Sequence, residues 1–266
     1  LLAQPPSPGG IAGCILWAKA QVNPSGAATL AGKLNSRDTI FPQAVRQASA
    51  ELNYHPALLL RGTSVLQIQT GDLSKMTLIC IFFPLDTTSE QLLWYTARDA
   101  YPSIIATTAR TADLENSQSM NFQAKQKGKA TISTYVKYSL EETGNVLVIG
   151  APPPLSALPL SPFQGLLAEV ILYDRVLAPE ELLQIESYLA RKYGIPLDSS
   201  TRLTRWKSAS GADLLVQKAE QLYKTHTFAI GRDDATDLCE RQSKSAEAAN
   251  LLSVGLGSIA PNNWSN

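Results

Sequence analysis

Histidine is the side chain whose charge changes nearest to neutral pH, and the chain has two, His55 and His226. Neither accompanies a G-x-S-x-G turn or a comparable nucleophile motif. The three cysteines, Cys14, Cys80 and Cys239, stand far apart and form no C-x-x-C pair, so their spacing does not predict zinc. These residue types argue against a Ser-His-Asp or Cys-His hydrolase. Three cysteines allow one disulfide at most, and the sequence does not decide their redox state.

A pair of carboxylates would be needed for a glycoside hydrolase, whose two acids lie about 5 to 9.5 Å apart across the scissile bond. Two acids on one strand share a face only at an even spacing. Glu169 and Asp174 are an odd number of residues apart, and the adjacent pair Glu141-Glu142 precedes a turn at Gly144. No predicted strand carries acids at i and i+2, although two acids from different strands remain an open alternative.

A cluster of acids at Asp233, Asp234 and Asp237 is the candidate metal site. Calcium binds carboxylate and carbonyl oxygens from loops, whereas the same residues also form polar turns by accepting backbone N–H groups. Arg232 could neutralise these acids without a metal. Calcium is therefore the one cofactor the sequence raises, and the polar turn is the favoured interpretation.

Aromatic residues near a strand end, Trp94 and Tyr95, and Tyr101 in the segment after it, are the candidate ligand-binding residues. Exposed indole and phenol rings can stack on sugars, but aromatic side chains also dominate protein cores. Burial of each ring is the favoured alternative.

Short apolar runs closed by Gly, Pro, Asn or Asp recur from residue 11 to residue 173 and predict many short strands. Leu66 and Ile68 alternate with Gln67 and Gln69, which is typical of a strand with one wet face. The run 76–83 is apolar on both faces and predicts a buried strand. The pattern predicts an all-β fold, either a sandwich or a barrel, and the buried run favours an antiparallel β-sandwich.

One helix is predicted from Pro179 to about Tyr193. Pro179 suits the first helical position, and Gly194 supplies a left-handed stop. Leu182, Ile185 and Leu189 form one apolar stripe.

Charge and hydropathy exclude two classes of partner. Lys plus Arg equals Asp plus Glu at 23 each, and no basic stripe is present, so nucleic-acid binding is not expected. The longest apolar runs are far shorter than the roughly 20 residues of a membrane-spanning helix. No transmembrane segment is expected.

The predicted organisation has three parts: an extended N-terminus at 1–9, a sandwich with its closing helix at 10–196, and a partial β unit at 197–266. The start Leu1-Leu2-Ala3 fits either the remnant of a signal peptide or an ordinary apolar terminus. The segment 212–223 fits either a strand or a helix.

The order of several segments resembles bacterial concanavalin A-like, laminin-G-like jelly-roll modules followed by an uncharacterised β domain. The segments that carry the resemblance are Gly9-Gly10-Ile11 with Leu16-Trp17, the stretch 53–57, the stretch 77–82, the closing strand 165–175, the helix end 186–195, and the tail 230–234 with 241–245. The resemblance is strongest from residue 163 to residue 245. Ala178 stands where these proteins often have a capping Ser.

This resemblance implies a large exported protein of Bacteroidota or proteobacteria, where type IX secretion is common. The expected function is a non-catalytic, secreted or cell-surface module that adheres by binding a glycan or a surface protein. One alternative is a structural component or cargo held with secretion or outer-membrane proteins. The other is a jelly-roll glycoside hydrolase.

Overall fold

The computed structural model describes residues 5–35, 37–41, 47–62, 65–71, 73–86, 88–98, 101–114, 118–121, 129–138, 144–150, 160–197, 206–214, 228–244 and 253–257. The chain divides into two compact units. The sandwich unit comprises Ile15–Ala50 and Pro56–Val176. The helix unit comprises Leu1–Cys14, Glu51–His55 and Leu177–Asn266.

Fifteen described strands precede the helix. They are β1 (Leu16–Val22), β2 (Ala27–Leu34), β3 (Arg37–Phe41), β4 (Gln47–Leu52), β5 (His55–Arg61), β6 (Leu66–Gln69), β7 (Met76–Pro84), β8 (Gln91–Arg98), β9 (Tyr101–Thr107), β10 (Arg110–Asp113), β11 (Gln118–Asn121), β12 (Thr131–Lys137), β13 (Val146–Ile149), β14 (Ser161–Pro162) and β15 (Gln164–Tyr173). One sheet has the order β1-β2-β4-β5-β15-β7-β12, with β3 beside β2 and a further pairing of β1 with β15. The other has the order β11-β10-β9-β8-β13-β6, and β14 runs parallel to β8 at its side.

Apolar side chains from both sheets meet in one core. They include Leu16, Leu30, Leu58, Leu78 and Val170 from the first sheet, and Leu66, Ile68, Trp94, Ile104 and Leu147 from the second. All pairings of the long strands are antiparallel. The predicted all-β sandwich with one short helix is therefore confirmed.

The two periodicity arguments hold at the level of single strands. Leu66 and Ile68 on β6 are buried, while Gln67 and Gln69 are exposed. Along β7 every side chain is buried except Phe83, which is partly exposed. Burial on both faces explains why β7 reads as an unbroken apolar run rather than an alternating one.

Helix α1 (Pro179–Tyr193) has the predicted bounds. Its apolar stripe of Leu182, Ile185 and Leu189 is buried. Gly194 ends the helix at φ 64°, in the left-handed region that glycine adopts without strain, and the N–H of Ile195 donates to the carbonyl of Ala190 at 3.0 Å.

The other described residues of the helix unit form short elements. Four strands form two antiparallel pairs: β16 (Gly231–Asp233) with β17 (Leu238–Glu240), and β18 (Gln242–Lys244) with β19 (Ser253–Gly255). The predicted strand 238–243 is thus divided at Arg241. Residues 8–10 form one turn of 3-10 helix within the N-terminus that was expected to be extended. Of the ambiguous segment 212–223, Asp213 forms a β-bridge with Lys207, and the residues from 215 lie outside the described part.

Two further expectations concern cysteines and membranes. Cys14, Cys80 and Cys239 all lie in the described ranges and none forms a disulfide. Across the described residues, no helix combines the length and the hydropathy needed to cross a bilayer.

Candidate functional site

The predicted aromatic platform is not at the surface. Trp94 is 1% exposed and meets the ring of Tyr135 edge-on at 5.7 Å between centroids. Tyr95 is 6% exposed and belongs to a second apolar cluster on the same sheet. Strand β8 is buried on both faces, so neither ring offers a face to a sugar, and both rings are buried as the favoured interpretation expected. Tyr101 is the first residue of β9 rather than a loop residue, and its side chain lies outside the described part.

The acids proposed for calcium are engaged by arginines of the same chain. Asp233 Oδ2 lies 3.6 Å from Arg191 Nη2, and Asp234 accepts a hydrogen bond from Arg232 Nε at 2.5 Å. The hydrogen bond to Asp234 raises the pKa of Arg232. Asp237 lies in the β16–β17 turn at φ 55°. Within the described ranges no group of three or more acid, His or Cys side chains could hold a metal ion. Asp233 and Asp234 each form an ion pair with an arginine.

Glu169, one of the acids considered for hydrolysis, points into packed protein. Its side chain is fully buried, and its Oε1 accepts a hydrogen bond from Trp17 Nε1 at 2.6 Å. A carboxylate in that position cannot touch a polymeric substrate. Glu141 and Glu142 lie outside the described residues, as does His226.

The turn between β4 and β5 carries the first polar cluster of the helix unit. Asn53 and Tyr54 both have positive φ, 50° and 65°, as a two-residue type I′ hairpin requires. Asn53 Nδ2 donates to the carbonyl of Lys192 at 2.7 Å, and Asn53 Oδ1 accepts from the N–H of Lys244 at 2.5 Å. The buried Asn53 amide thus fastens the hairpin tip to the end of α1 and to β18.

His55 extends this cluster with an acidic partner. His55 Nε2 lies 2.8 Å from both carboxylate oxygens of Glu240, and the Glu240 residue is 2% exposed. The imidazole also meets the ring of Tyr193 edge-on at 5.5 Å. Burial lowers the pKa of Arg191, while the charges of Asp233 and Glu240 oppose that shift. The positive charge of Arg191 thus lies near the negative charges of Asp233 and Glu240 inside the unit.

A second ionic group joins the start of α1 to the segment 206–214. Lys207 Nζ lies 2.8 Å from Asp213 and 3.3 Å from Glu180, and these hydrogen bonds raise the pKa of Lys207. The N–H of Lys207 also donates to Ser187 Oγ at 3.0 Å. Together with the His55 cluster, this group shows that the charged side chains of the unit connect its separate segments.

A cleft of about 460 Å³ opens on the helix unit. Three stretches of chain form its walls: Pro5, Ser7 and Gly10 from the N-terminal segment, Ser208, Ala209 and Ser210 from a turn, and Asp233 and Ala235 from the end of β16 and its turn. The lining therefore consists of three hydroxyls, one carboxylate, small apolar groups and backbone. We refer to it as the serine cleft.

Hydrogen bonds hold the walls of the serine cleft together. The N–H of Ser7 donates to the carbonyl of Ala235 at 3.0 Å. From α1, Gln184 Nε2 donates to the carbonyls of Ser208 and Ala209 at 3.5 and 3.4 Å. All three stretches are thus tied either to one another or to the helix.

Two adjacent glycines allow the N-terminal wall to come this close. A Cβ atom on Gly9 would lie 2.7 Å from the backbone of Ile185, and one on Gly10 would lie 2.4 Å from the carbonyl oxygen of Ala209. Both glycines also have positive φ, at 59° and 78°. Gly9-Gly10 was the one signal in the sequence that could have located the cleft, because paired glycines mark a close backbone approach. The serines give no such signal.

Comparison of sequences identifies one related segment. Residues 181–266 match a family described as a domain of unknown function, DUF8202. The matched range begins inside α1. It contains the lining residues of the serine cleft that follow α1 in the sequence: Ser208, Ala209, Ser210, Asp233 and Ala235. No curated protein is significantly similar in sequence to this chain.

Comparison of structures finds β domains of low similarity. The sialidase of Trypanosoma rangeli in complex with sialic acid matches at 11% identity and a TM-score of 0.44, covering 68% of this chain and 33% of that one. Domain 4 of AbnA, a GH43 extracellular arabinanase of Geobacillus stearothermophilus in complex with arabinotriose, matches at 15% identity and a TM-score of 0.36. The match covers 52% of this chain and 80% of that one. The receptor-binding domain of botulinum neurotoxin type G matches at 10% identity and a TM-score of 0.35. The match covers 71% of this chain and 56% of that one. The chain spans about a third of the length of the sialidase, and at these values no function is transferred.

Proposed function

We propose that this chain is a non-catalytic binding module of an exported bacterial protein, secreted or displayed at the cell surface, which holds a glycan or protein ligand in the serine cleft. The observation that carries the proposal is the cleft itself, about 460 Å³ in volume. That volume falls within the roughly 300 to 1,000 Å³ typical of ligand pockets.

The arrangement of charge supports binding rather than turnover. Of the described residues that line the cleft, Asp233 is the acidic one, and Arg191 is its ion-pair partner at 3.6 Å. His55 lies 2.8 Å from the buried Glu240. A general base must be within about 3 Å of the proton it removes, and these groups are instead committed to each other. The cleft presents hydroxyls and backbone to a ligand.

The test measures binding and turnover by the same protein. The full chain, fluorescently labelled, is applied to a glycan array, to immobilised mucin and to enzymatically deglycosylated mucin. The same ligands are recovered and analysed by mass spectrometry for cleavage. Ala235→Leu fills the cleft from an exposed turn position, and Gln242→Leu places the same side chain at an exposed position of β18, away from the lining.

Saturable binding that Ala235→Leu abolishes, that Gln242→Leu retains and that leaves the ligand intact is the expected result. Cleavage products would instead favour the glycoside hydrolase. Absence of binding to every probe would favour a structural component held with secretion or outer-membrane proteins.

A further inference from the structure

The residues that line the serine cleft also indicate the chemical class of its ligand. Resting on the proposed function, we infer that the serine cleft is selective for a neutral saccharide, whose hydroxyl groups are recognised by the serine hydroxyls and by Asp233. The inference depends on three properties of the lining: its charge, its hydrogen-bonding groups and its lack of large anchors.

Charge disfavours an anionic ligand. None of the described residues that line the cleft is basic, and Asp233 is the charged side chain among them. The adjacent Arg232 is hydrogen-bonded to Asp234. Arg191, which lies outside the lining, pairs with Asp233 at 3.6 Å. A carboxylate, sulfate or phosphate on the ligand would therefore lie beside Asp233 without a cation to pair with it, and such a juxtaposition acts against binding. Sialylated and sulfated glycans should therefore bind less tightly than their neutral counterparts.

The hydrogen-bonding groups match hydroxyls. Ser7, Ser208 and Ser210 each offer one donor and two acceptor sites. Ser208 Oγ and Ser210 Oγ lie 2.9 Å apart and share one hydrogen bond, and Ser208 Oγ also accepts from the N–H of Ala212 at 3.1 Å. Each hydroxyl keeps at least one further donor or acceptor site. A sugar hydroxyl, which both donates and accepts, can complete such a pair without leaving a polar group unsatisfied.

The apolar part of the lining favours a small ligand over a protein. It consists of the ring of Pro5 and the methyl groups of Ala209 and Ala235. Protein interfaces gain most of their affinity from large side chains, above all Trp, Tyr and Arg, that fill deep pockets, and they bury about 800 Å² on each partner. A cleft of about 460 Å³ with small walls suits one or two sugar rings.

The experiment begins with the neutral and acidic members of the glycan array. The neutral disaccharide with the strongest signal is then titrated into the ¹⁵N-labelled full chain, and so is the sialylated form of the same sugar. Amide shifts locate the site, and calorimetry gives the Kd. The cleft-filling Ala235→Leu is compared with its matched control Gln242→Leu.

The expected result is that the neutral sugar shifts the amides of Ser7 and of the 208–210 turn. Ala235→Leu should weaken binding about tenfold or more, whereas Gln242→Leu should leave the Kd within about twofold. Tighter binding of the sialylated sugar, or shifts confined to other residues, would overturn the inference. So would an array on which no neutral glycan binds.

The two proposals fail in different ways. Equal binding to mucin and to deglycosylated mucin, lost in Ala235→Leu, would mean that the module binds protein: the saccharide inference would be wrong and the proposed function would stand. Loss of all binding to all probes would contradict both.

Discussion

Glu240 is a carboxylate with 2% exposure whose neighbours, His55 and Arg191, come from two other stretches of the chain. We expect Glu240→Gln to lower the free energy of unfolding by about 3 kcal/mol. Removing one partner of a buried charge group leaves the other uncompensated in a medium that solvates it poorly. Urea denaturation at pH 7, followed by tryptophan fluorescence and by circular dichroism, measures the loss.

Glu90 provides the matched control for that substitution. It also pairs with an arginine, at 3.1 Å from Arg110 Nε, but the two side chains are 33% and 42% exposed. Glu90→Gln should therefore cost less than about 1 kcal/mol. Equal losses in the two variants would show that burial of Glu240 has no energetic consequence.

Tyr135 makes the sandwich unit sensitive to alkali. Burial raises the pKa of its phenol, and the negative charge of Asp113 adds to the shift. Above about pH 10 the unfolded chain releases a proton that the folded chain retains. Because the folded pKa is the higher one, the stabilisation is complete below about pH 10 and is lost as pH rises further.

Tyr135→Phe removes the titrating group and tests this sign. The free energy of unfolding, measured from pH 8 to pH 11 and referred to each protein's value at pH 8, should fall less steeply in the variant. Tyr95, whose pKa is also raised by burial, retains part of the slope. A steeper fall in Tyr135→Phe would contradict the prediction.

At the scale of elements, the N-terminus of α1 lacks a side-chain cap. Ala178 occupies the cap position with extended φ and ψ of −65° and 154°, and no side chain of its own reaches the first turn. Glu181 Oε2 does accept a hydrogen bond from the N–H of Ala178 at 2.8 Å. Ala178→Ser should raise the free energy of unfolding by about 1 kcal/mol, because the hydroxyl can accept from an N–H that has no partner in the helix.

The same change inside the helix should have the opposite sign. Ala190 is fully buried in α1, so Ala190→Ser places a hydroxyl where its hydrogen bonds must compete with packing. Thermal unfolding of both variants compares the two positions. A neutral or destabilising Ala178→Ser would contradict the prediction. It would mean that the hydrogen bond from the N–H of Ala178 to Glu181 already stabilises the N-terminus of α1 as much as a cap can.

The helices and strands differ in how well they can be predicted from their own residues. Helix α1 carries Pro179, Gly194 and an apolar stripe, and each signal comes from within the element. Strands β2 to β4 were not predicted, because alanine, glycine and threonine dominate β2 and give no clear alternation. Gly32 is needed there because a Cβ would lie 1.9 Å from the carbonyl oxygen of Trp17, a requirement set by the neighbouring strand. Local signals therefore gave the helix and the apolar strands, whereas strands and sites set by distant contacts were missed.

The serine cleft shows the same limit at the scale of the site. Its walls come from positions near 7, 209 and 235, which only the fold brings together. Serine and alanine in turns carry no periodicity, and so the predictions fell on aromatic and acidic residues instead. The sequence raises Asp233 as a calcium ligand. In the structure Asp233 lines the cleft and pairs with Arg191 at 3.6 Å.

At the scale of the whole molecule, the helix unit is assembled from three separate stretches of chain. Helix α1 is joined to the stretch 51–55 by the hydrogen bond from Asn53 to the carbonyl of Lys192. Its Ser187 and Gln184 form hydrogen bonds with the segment 206–214 of its own stretch. A boundary after residue 196 would place α1 outside the unit that these bonds hold together. We therefore expect a fragment of residues 197–266 to be unfolded on its own.

The fragment's amide spectrum decides the point. Without α1 the fragment loses the partner of Asp233, Arg191, and the donor that Gln184 supplies to the 208–210 turn. It also loses the buried stripe of the helix, and a chain this short buries too little surface to replace it. A ¹H–¹⁵N spectrum with narrow dispersion, beside a dispersed spectrum of the full chain, is the expected outcome. A dispersed spectrum of the fragment would instead support the boundary at 196, and it would mean that the hydrogen bonds from α1 are dispensable for this part of the fold.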